Sequence, residues 1–520
     1  MSFVHRTGVS DAASCERWLA KAPLADPDNA CRSLTALLEE LEESSPADPV
    51  WLDIGDRLDS AIWGAIAAQT KRFSERAVPL TGTAAEAFIR VRALLPAYGR
   101  GYKRLLCVAI DDPDSPIAKE APRIAFRAMQ CCRELALAHY RARREPTPEV
   151  WEELNEVYRL AEQEGLAAEP ARLASLPQSC EQLYIETALV HLVQPYGRSA
   201  RDLDLLLALA REWSSLARIR LFQADHGVVS VDLKADEPPA FRRMGRAFVR
   251  PDTRVIDLRD VKQVLQSHIR ANEDEARRAP LAFAEGQATT DVLPLLNHLY
   301  KAWFAFPQPR RFKRRIVTDR VEVVVGMSAI HMALGGEAVG GHDEQPRAFG
   351  RNAPADEDDP TIQEDQVDRG PPERWDLLDE SPVGFRVRRR EAGVAVFHRQ
   401  LVAIRPPGGK AFVLAETRWL MMGIDGAVTL GLQALAGGTP QPVSVRAATG
   451  GGARNSEGWS PALASTAPDS GALSLVAVRG TLFTGAMVDL DVAGITTRFR
   501  LTSLVAEGYD FDAFAGAANH

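Results

Sequence analysis

The sequence lacks the features that mark most membrane proteins and many enzymes. It has no apolar run of about 18 residues, so no membrane span is predicted. Residues 1–6 contain no apolar stretch typical of a secretory signal. Phosphate-binding loops of the G-x-x-x-x-G-K-[ST] type are absent, as are the H-E-x-x-H and G-x-S-x-G motifs of zinc proteases and serine hydrolases. We therefore expect a cytoplasmic protein without catalytic activity.

Cysteine is scarce and carries no metal-binding pattern. All six cysteines lie in the first 180 residues, none forms C-x-x-C, and no Cys/His group has zinc spacing. Reduced and mostly buried thiols are expected, with no metal site. The net charge of −8 and the isoelectric point near 5.8 argue against a surface that binds DNA, so a basic site must act locally.

The chain is too long for one hydrophobic core, and its first part has the pattern of helices. At 520 residues, three or four domains are expected. Residues 1–218 show apolar residues at three- and four-residue steps, as in Trp51, Ile54 and Leu58, which predicts an all-α domain. Successive helical hairpins indicate either a repeat solenoid or an irregular helical domain, because no clear 34-residue repeat is present.

Strand patterns dominate the remainder, so the predicted fold class is multidomain α+β. Residues 219–306 are expected to form a small α/β spacer module, residues 307–438 a β-barrel, and residues 439–520 a C-terminal β domain. An insertion at about 335–373 interrupts the barrel. Between residues 356 and 368 it has seven acidic residues and no Lys or Arg, which predicts a disordered loop.

Two short motifs stand out within the predicted barrel. The first is a basic arm at residues 310–315, Arg-Arg-Phe-Lys-Arg-Arg, placed before the strand-like run at 321–325. The second is Asp-Glu-Ser-Pro-Val-Gly at residues 379–384, which opens another strand-like run. Taken singly, the first is typical of a solvated basic patch and the second of a plain turn.

Together, in this order, the motifs resemble the PilZ family of bacterial cyclic di-GMP receptors. That family combines R-x-x-x-R with [DN]-x-S-x-x-G on a later strand. The strand-like runs at 400–404, 412–419 and 428–435 continue the resemblance, which covers residues 310–436. The chain departs from the family in spacing, since more than 60 residues separate Arg315 from Asp379. Loop closure costs little more as a loop lengthens, so the insertion is compatible with the barrel.

The resemblance implies a ligand site for cyclic di-GMP, a second messenger with two phosphates and two guanines. Arginine binds phosphate or a guanine edge through its planar fork. Asp379 is expected to accept hydrogen bonds from guanine N1 and N2, Ser381 to supply a hydroxyl, and Gly384 to allow close approach. The arginines expected at the site are Arg310, Arg311, Arg314 and Arg315.

The pair Arg311 and Arg315 is favoured over Arg310 and Arg314, because an apolar pair at 316–317 follows it directly. Both pairs have the required spacing of four residues.

These observations predict a nucleotide-binding signalling effector. Ligand would order the arm, and the helical domain would present the output to a protein partner. The alternative is a ligand-free PilZ-like scaffold or chaperone-like adaptor, in which the barrel mediates contacts alone.

Overall fold

A computed structural model describes the chain in ten stretches and divides it into two compact units. The first unit contains residues 1–76 and 80–308, and the second contains residues 77–79 and 309–520. The described stretches are 7–171, 178–221, 229–241, 250–273, 292–304, 312–336, 371–447, 458–466, 473–492 and 494–518. Within them, every helix is too short or too polar to cross a bilayer.

Helices fill the first part of the first unit, as the periodicity predicts. Several begin where the sequence supplies a cap. Thr147 precedes Pro148 at the start of one helix, and Ser179 forms a capping box with Gln182 at another. The helices are α1 (Ala12–Leu19), α2 (Pro27–Ser44), α3 (Asp48–Phe73), α4 (Gly82–Asp111), α5 (Ala121–Arg141), α6 (Pro148–Gln163), α7 (Cys180–Val193) and α8 (Ala200–Ser214).

Aromatic side chains hold α3 against α4. Trp51 meets Tyr102 edge-on with ring centroids 5.1 Å apart, and Tyr98 donates a hydrogen bond from its hydroxyl to the Gly55 carbonyl at 2.9 Å. A Cβ on Gly101 would lie 1.8 Å from the Trp51 ring, so this close approach requires glycine. The six cysteines are all free thiols, and five of them are buried.

A small antiparallel sheet with two further helices completes the first unit. The strand order is β1-β4-β2-β3, and α9 packs on α10. Strand-like runs are visible in the sequence at 228–233 and 253–258, where β2 and β4 form, whereas no strand was expected at β1 or β3. The elements are β1 (Arg218–Leu221), β2 (Val229–Asp232), β3 (Ala240–Phe241), β4 (Thr253–Asp257), α9 (Arg259–Glu273) and α10 (Leu293–Phe304).

The second unit begins with a closed six-stranded barrel. Its strands follow one another around the barrel in the order β10-β7-β6-β5-β8-β9. Inward-facing apolar residues, among them Val323, Trp375, Val387 and Leu430, fill its interior. The elements are β5 (Arg315–Val325), α11 (Met327–Ala333), β6 (Glu373–Ser381), β7 (Gly384–Arg389), β8 (Leu401–Arg405), β9 (Val413–Met422) and β10 (Val428–Ala434).

A second closed barrel follows and repeats the strand order of the first. Counting strands from the first of each barrel, both close in the circular order one, two, three, six, five, four. Strand-like runs in the sequence at 443–447, 473–478, 487–492 and 496–501 predict four of its strands, whereas β12 and β16 were missed. The strands are β11 (Gln441–Ala447), β12 (Ser460–Thr466), β13 (Leu473–Val478), β14 (Met487–Val492), β15 (Ile495–Glu507) and β16 (Phe511–Ala518).

The two barrels share a hydrophobic cluster. It joins α11, β8 and β9 of the first barrel to β12, β13 and β16 of the second, with Ile330 and Phe511 fully buried. Asp510, between β15 and β16, accepts a hydrogen bond from the backbone N–H of Leu401 at 2.9 Å. The barrels therefore pack as one body through apolar burial and a backbone cap.

The acidic insertion lies mostly outside the described residues. Its first residues, 335 and 336, follow α11, and its last, 371–373, lead into β6. The prediction of disorder at 335–373 and the bounds of the four proposed domains stay predictions.

Candidate functional site

The end of the basic arm lies beside the Asp-Ser-Gly turn. Arg315 is the first residue of β5 and lies opposite Glu380 of β6, while Ile316 lies opposite Asp379. The arm and the turn, which more than 60 residues separate in the sequence, thus lie on two paired strands. Arg310 and Arg311 lie outside the described residues, so the preference for the pair Arg311 and Arg315 stays a prediction.

Each described arginine of the arm is paired with a carboxylate of the turn. Arg314 forms an ion pair with Oδ1 of Asp379, and Arg315 forms one with Oε1 of Glu380. Asp379 is buried, whereas the Arg315 side chain is 75% exposed. The first pair is therefore shielded from solvent and the second is open to it.

A β-bulge turns Asp379 to the outside of the barrel. Leu377 belongs to the interior cluster, and simple alternation would point Asp379, two residues later, the same way. The register between β6 and its neighbours shifts between these two residues, so Asp379 lies opposite Arg386. Arg386 separates the core residues Phe385 and Val387, which places it on the outer face. Asp379 and Arg386 therefore share that face.

Arg386 holds the second oxygen of the same carboxylate. Its Nε lies 2.7 Å from Oδ2 of Asp379, which makes an ion pair. The N–H is not aligned with that oxygen, and this buried atom has no hydrogen-bond partner among the described residues. Asp379 is thus placed between two guanidinium groups from different elements, Arg314 on Oδ1 and Arg386 on Oδ2.

Ser381 and Gly384 have structural contacts within the turn. The Ser381 hydroxyl donates a hydrogen bond to the Gly384 carbonyl at 3.3 Å. A Cβ on Gly384 would lie 2.2 Å from the backbone oxygen of Leu432 in β10, so glycine is required for strand pairing at this position. The expected roles of both residues toward a ligand stay predictions. The contacts within the turn and with β10 explain both residue types even without a ligand.

An aromatic ring lies further along the same outer face. Gly431 of β10 pairs with Arg386 on one side and with Trp419 of β9 on the other. A Cβ on Gly431 would lie 2.0 Å from Nε1 of Trp419, so the indole lies over bare glycine backbone. Across the barrel, the outer face thus carries Ile316, Asp379, Arg386 and the half-buried Trp419. Ile316 is 86% exposed, which is unusual for an isoleucine in a strand.

Sequence reasoning did not assign Arg386, Trp419 or Glu380 to the site. Strand alternation after Gly384 predicts Arg386, Arg388 and Arg390 on one face; Arg386 and Arg388 lie in β7, whereas Arg390 lies beyond its end at Arg389. Alternation could not predict that these arginines have different partners. Arg386 pairs with Asp379, whereas Arg388 pairs with Asp425 on the loop between β9 and β10. Glu380 occupies a variable position of the motif, so the motif itself gave no signal for it.

The described part of the site has an excess of positive charge. Three guanidinium groups, of Arg314, Arg315 and Arg386, face two carboxylates, of Asp379 and Glu380. Such a set can bind an anion by exchanging internal partners for external ones, and its carboxylates can accept hydrogen bonds once released. Across the described residues, no group of His, Cys, Asp or Glu is arranged to hold a metal ion.

Two family models and one curated relative match the chain. Residues 13–225 match the N-terminal domain of the cyclic-di-GMP receptor FimW, and residues 228–342 match the middle PilZ domain of that receptor. The second match includes the basic arm and β5 and ends before β6. The curated relative is the cyclic-di-GMP receptor FimW of Pseudomonas aeruginosa, which is 24% identical over 326 residues.

The alignment to this relative covers 61% of the present chain and 52% of the relative. The chain therefore spans about half the length of the curated relative that it matches. No solved structure matches the chain.

Proposed function

Because the chain belongs to the family of PilZ-domain cyclic di-GMP receptors that includes FimW, we propose that it is itself a cyclic di-GMP receptor. The main observation in support is that the basic arm and the Asp-Ser-Gly turn, far apart in sequence, lie side by side on paired strands of one closed barrel. The ligand would bind at the edge of that barrel, against Arg314 and Arg315, and extend over its outer face at Asp379.

Ligand binding would proceed by exchange of ion pairs. A phosphate of cyclic di-GMP takes a guanidinium from its internal carboxylate, and the released carboxylate accepts hydrogen bonds from guanine N1–H and N2–H. Arg310 and Arg311, earlier in the arm, would add further phosphate contacts. Trp419 offers a ring on the same face, against which a base can stack.

Titration of the purified full chain with cyclic di-GMP by isothermal calorimetry tests this proposal. Arg314→Ala and Arg315→Ala should each weaken binding by about 1.5–3 kcal/mol, the usual range for a charge-assisted hydrogen bond. Arg311→Ala should do the same if the arm closes over the ligand, and Asp379→Ala should also weaken the preference for guanine.

Arg320→Ala is the matched control. Arg320 is also on β5 and pairs with a carboxylate of β6, Asp376, at 3.6 Å, but it lies beyond the bulge, away from the turn. Its removal should leave affinity unchanged. Equal losses for Arg320→Ala and Arg314→Ala would mean that only general charge matters, and the site assignment would then fail.

The proposed output is a non-catalytic relay to a protein partner. Ligand binding at the barrel would alter the helical unit, which would present the signal. For such coupling, cyclic di-GMP must bind one arrangement of the protein better than another. Hydrogen exchange of α1–α8 should therefore change upon saturation with ligand, and unchanged exchange there would contradict the relay.

A ligand-free scaffold is the second candidate. It is favoured by one observation, that Arg314 and Arg315 already have internal carboxylate partners. A scaffold predicts no heat on titration with cyclic di-GMP at any concentration. A clear binding isotherm that Arg314→Ala weakens and Arg320→Ala does not would exclude it.

A further inference from the structure

The two arginines that hold Asp379 are anchored very differently. Arg386 lies inside β7, between the core residues Phe385 and Val387, and its strand pairs on both sides, with β6 and with β10. Arg314 precedes the first residue of β5 and belongs to the arm. An exchange of partners can therefore move Arg314, while Arg386 stays where the strand holds it.

From this difference we infer that Arg386 is a positioning residue for guanine recognition. It would keep Asp379 paired with a cation and fixed in orientation after Arg314 has turned to a phosphate. The inference rests on the proposed function, since it concerns the same site. Arg386 is not part of the D-x-S-x-x-G motif, since it lies two residues beyond the final glycine.

The physical reason is the burial of Asp379. A buried carboxylate without a nearby cation is strongly unfavourable. If Arg314 were the only partner of Asp379, the cost of separating the two groups would oppose ligand binding. With Arg386 on Oδ2, the charge keeps a partner while Oδ1 becomes available. Each carboxylate oxygen has two lone pairs, so Oδ2 can still accept a second hydrogen bond beside Arg386. The pair of guanine donors, N1–H and N2–H, thus meets a carboxylate whose orientation is fixed.

The geometry of the pair supports a change of this kind. The Arg386 Nε–H is buried, 2.7 Å from Oδ2, and yet not directed at it. A buried donor without a partner is unfavourable, and a small rotation of the carboxylate toward Arg386 would satisfy it. Arg314, bound to the other oxygen, opposes that rotation. Its departure would let the bond between Asp379 and Arg386 form.

Comparison of two cyclic dinucleotides separates positioning from simple charge. Cyclic di-GMP and cyclic di-AMP carry the same two phosphates, but adenine lacks the N1–H and N2–H donors that a carboxylate accepts. Calorimetric titration of the full chain with each ligand gives the preference for guanine as a ratio of dissociation constants. In Arg386→Gln this ratio should fall at least tenfold, almost entirely through weaker binding of cyclic di-GMP.

Two further variants complete the experiment. Arg386→Lys retains a cation without the planar fork and should keep an intermediate ratio. Arg388→Gln is the matched control, since Arg388 is the next outward-facing arginine on β7 and pairs with Asp425. Its ratio should equal that of the unmodified chain, and thermal melting verifies that each variant is folded.

The outcomes distinguish the inference from the function on which it rests. If the unmodified chain binds neither dinucleotide, the proposed receptor function is wrong and the inference goes with it. If the unmodified chain prefers guanine and Arg386→Gln keeps that preference, or lowers both affinities equally, only the positioning role is wrong.

Discussion

Arg315 and Glu380 lie directly opposite each other on β5 and β6, and their side chains form an ion pair at the edge of the first barrel. Glu380 stands at a position that the D-x-S-x-x-G motif leaves open. The same arginine is expected to bind a phosphate, so the two anions compete for it. An internal competitor of this kind reduces affinity without altering the site itself.

Glu380→Gln should therefore strengthen binding of cyclic di-GMP. An exposed ion pair contributes about 0.2–1 kcal/mol, so its removal should raise affinity by about 1.4- to 5-fold. Glu322→Gln is the control, because Glu322 pairs with Arg405 at 3.0 Å on the same barrel, away from the arm. Weaker binding in Glu380→Gln would show that Glu380 contacts the ligand instead of competing with it.

Gly384→Ala should destabilise the first barrel by about 1–3 kcal/mol, the usual cost of forcing an extra group into packed structure. The added Cβ would lie 2.2 Å from the Leu432 oxygen, a backbone atom that cannot move without breaking the pairing of β7 and β10. Hydrogen exchange in these two strands measures the effect. Gly64→Ala in α3 is the opposite case, since its Cβ would meet nothing within 4 Å, and it should stabilise α3 by up to about 1 kcal/mol. Normal protection of β7 and β10 in Gly384→Ala would be evidence against this packing.

The helical unit should lose stability between about pH 6.5 and pH 4. Burial lowers the pKa of His139 to about 4 and that of His191 to about 4. Both are neutral when folded and take up a proton when unfolded in this range, so stability falls as pH falls. Complete titration would cost on the order of 3 kcal/mol per histidine.

Nuclear magnetic resonance titration of the two imidazoles, with hydrogen exchange in α5 and α7, checks this pH dependence. His139→Gln should flatten the dependence in α5. Midpoints near 6.5 for both rings would contradict their burial.

Asp512→Asn should stabilise the second barrel at neutral pH. Burial raises the pKa of Asp512, so the stability linked to its protonated form is present below pH 3.8 and is lost as pH rises through the higher folded value. Asparagine removes the charge and still accepts the hydrogen bond from the Gly480 N–H, which measures 2.8 Å in Asp512. Calorimetric melting at pH 4 and pH 7 should show a gain at pH 7 that shrinks at pH 4. A gain of the same size at both values would point to a cause other than charge.

Sequence patterns predicted most elements of the fold because periodicity and caps are local. The stripe of Trp51, Ile54 and Leu58 predicted α3, and the Thr147-Pro148 start of α6 was visible from residue types. Strands β12 and β16 were missed, since β16 contains four alanines and a glycine and β12 contains a proline and only one leucine among small and polar residues. Weakly apolar strands form here through pairing with their neighbours, and a single segment carries no record of that pairing.

For the candidate site, the residue types identified the arm and the turn, while the partners came from three-dimensional pairing. The two motifs were recognisable from charge and glycine placement alone. That Arg314 meets Asp379 depends on the register of β5 and β6 across the long insertion. That Asp379 faces outward depends on a bulge after Leu377, which alternation does not predict.

The order of the amino acids by itself determined that this chain has a helical first part, β-rich later parts, a cluster of arginines and a turn with Asp, Ser and Gly. Only the tertiary structure decided that Asp379 lies between Arg314 and Arg386, and that a second barrel repeats the strand order of the first. The physical reason is the distance along the chain over which each kind of interaction acts. Helix periodicity and turn chemistry act over a few neighbouring residues, whereas strand register, bulges and barrel closure arise between segments that are far apart in the chain.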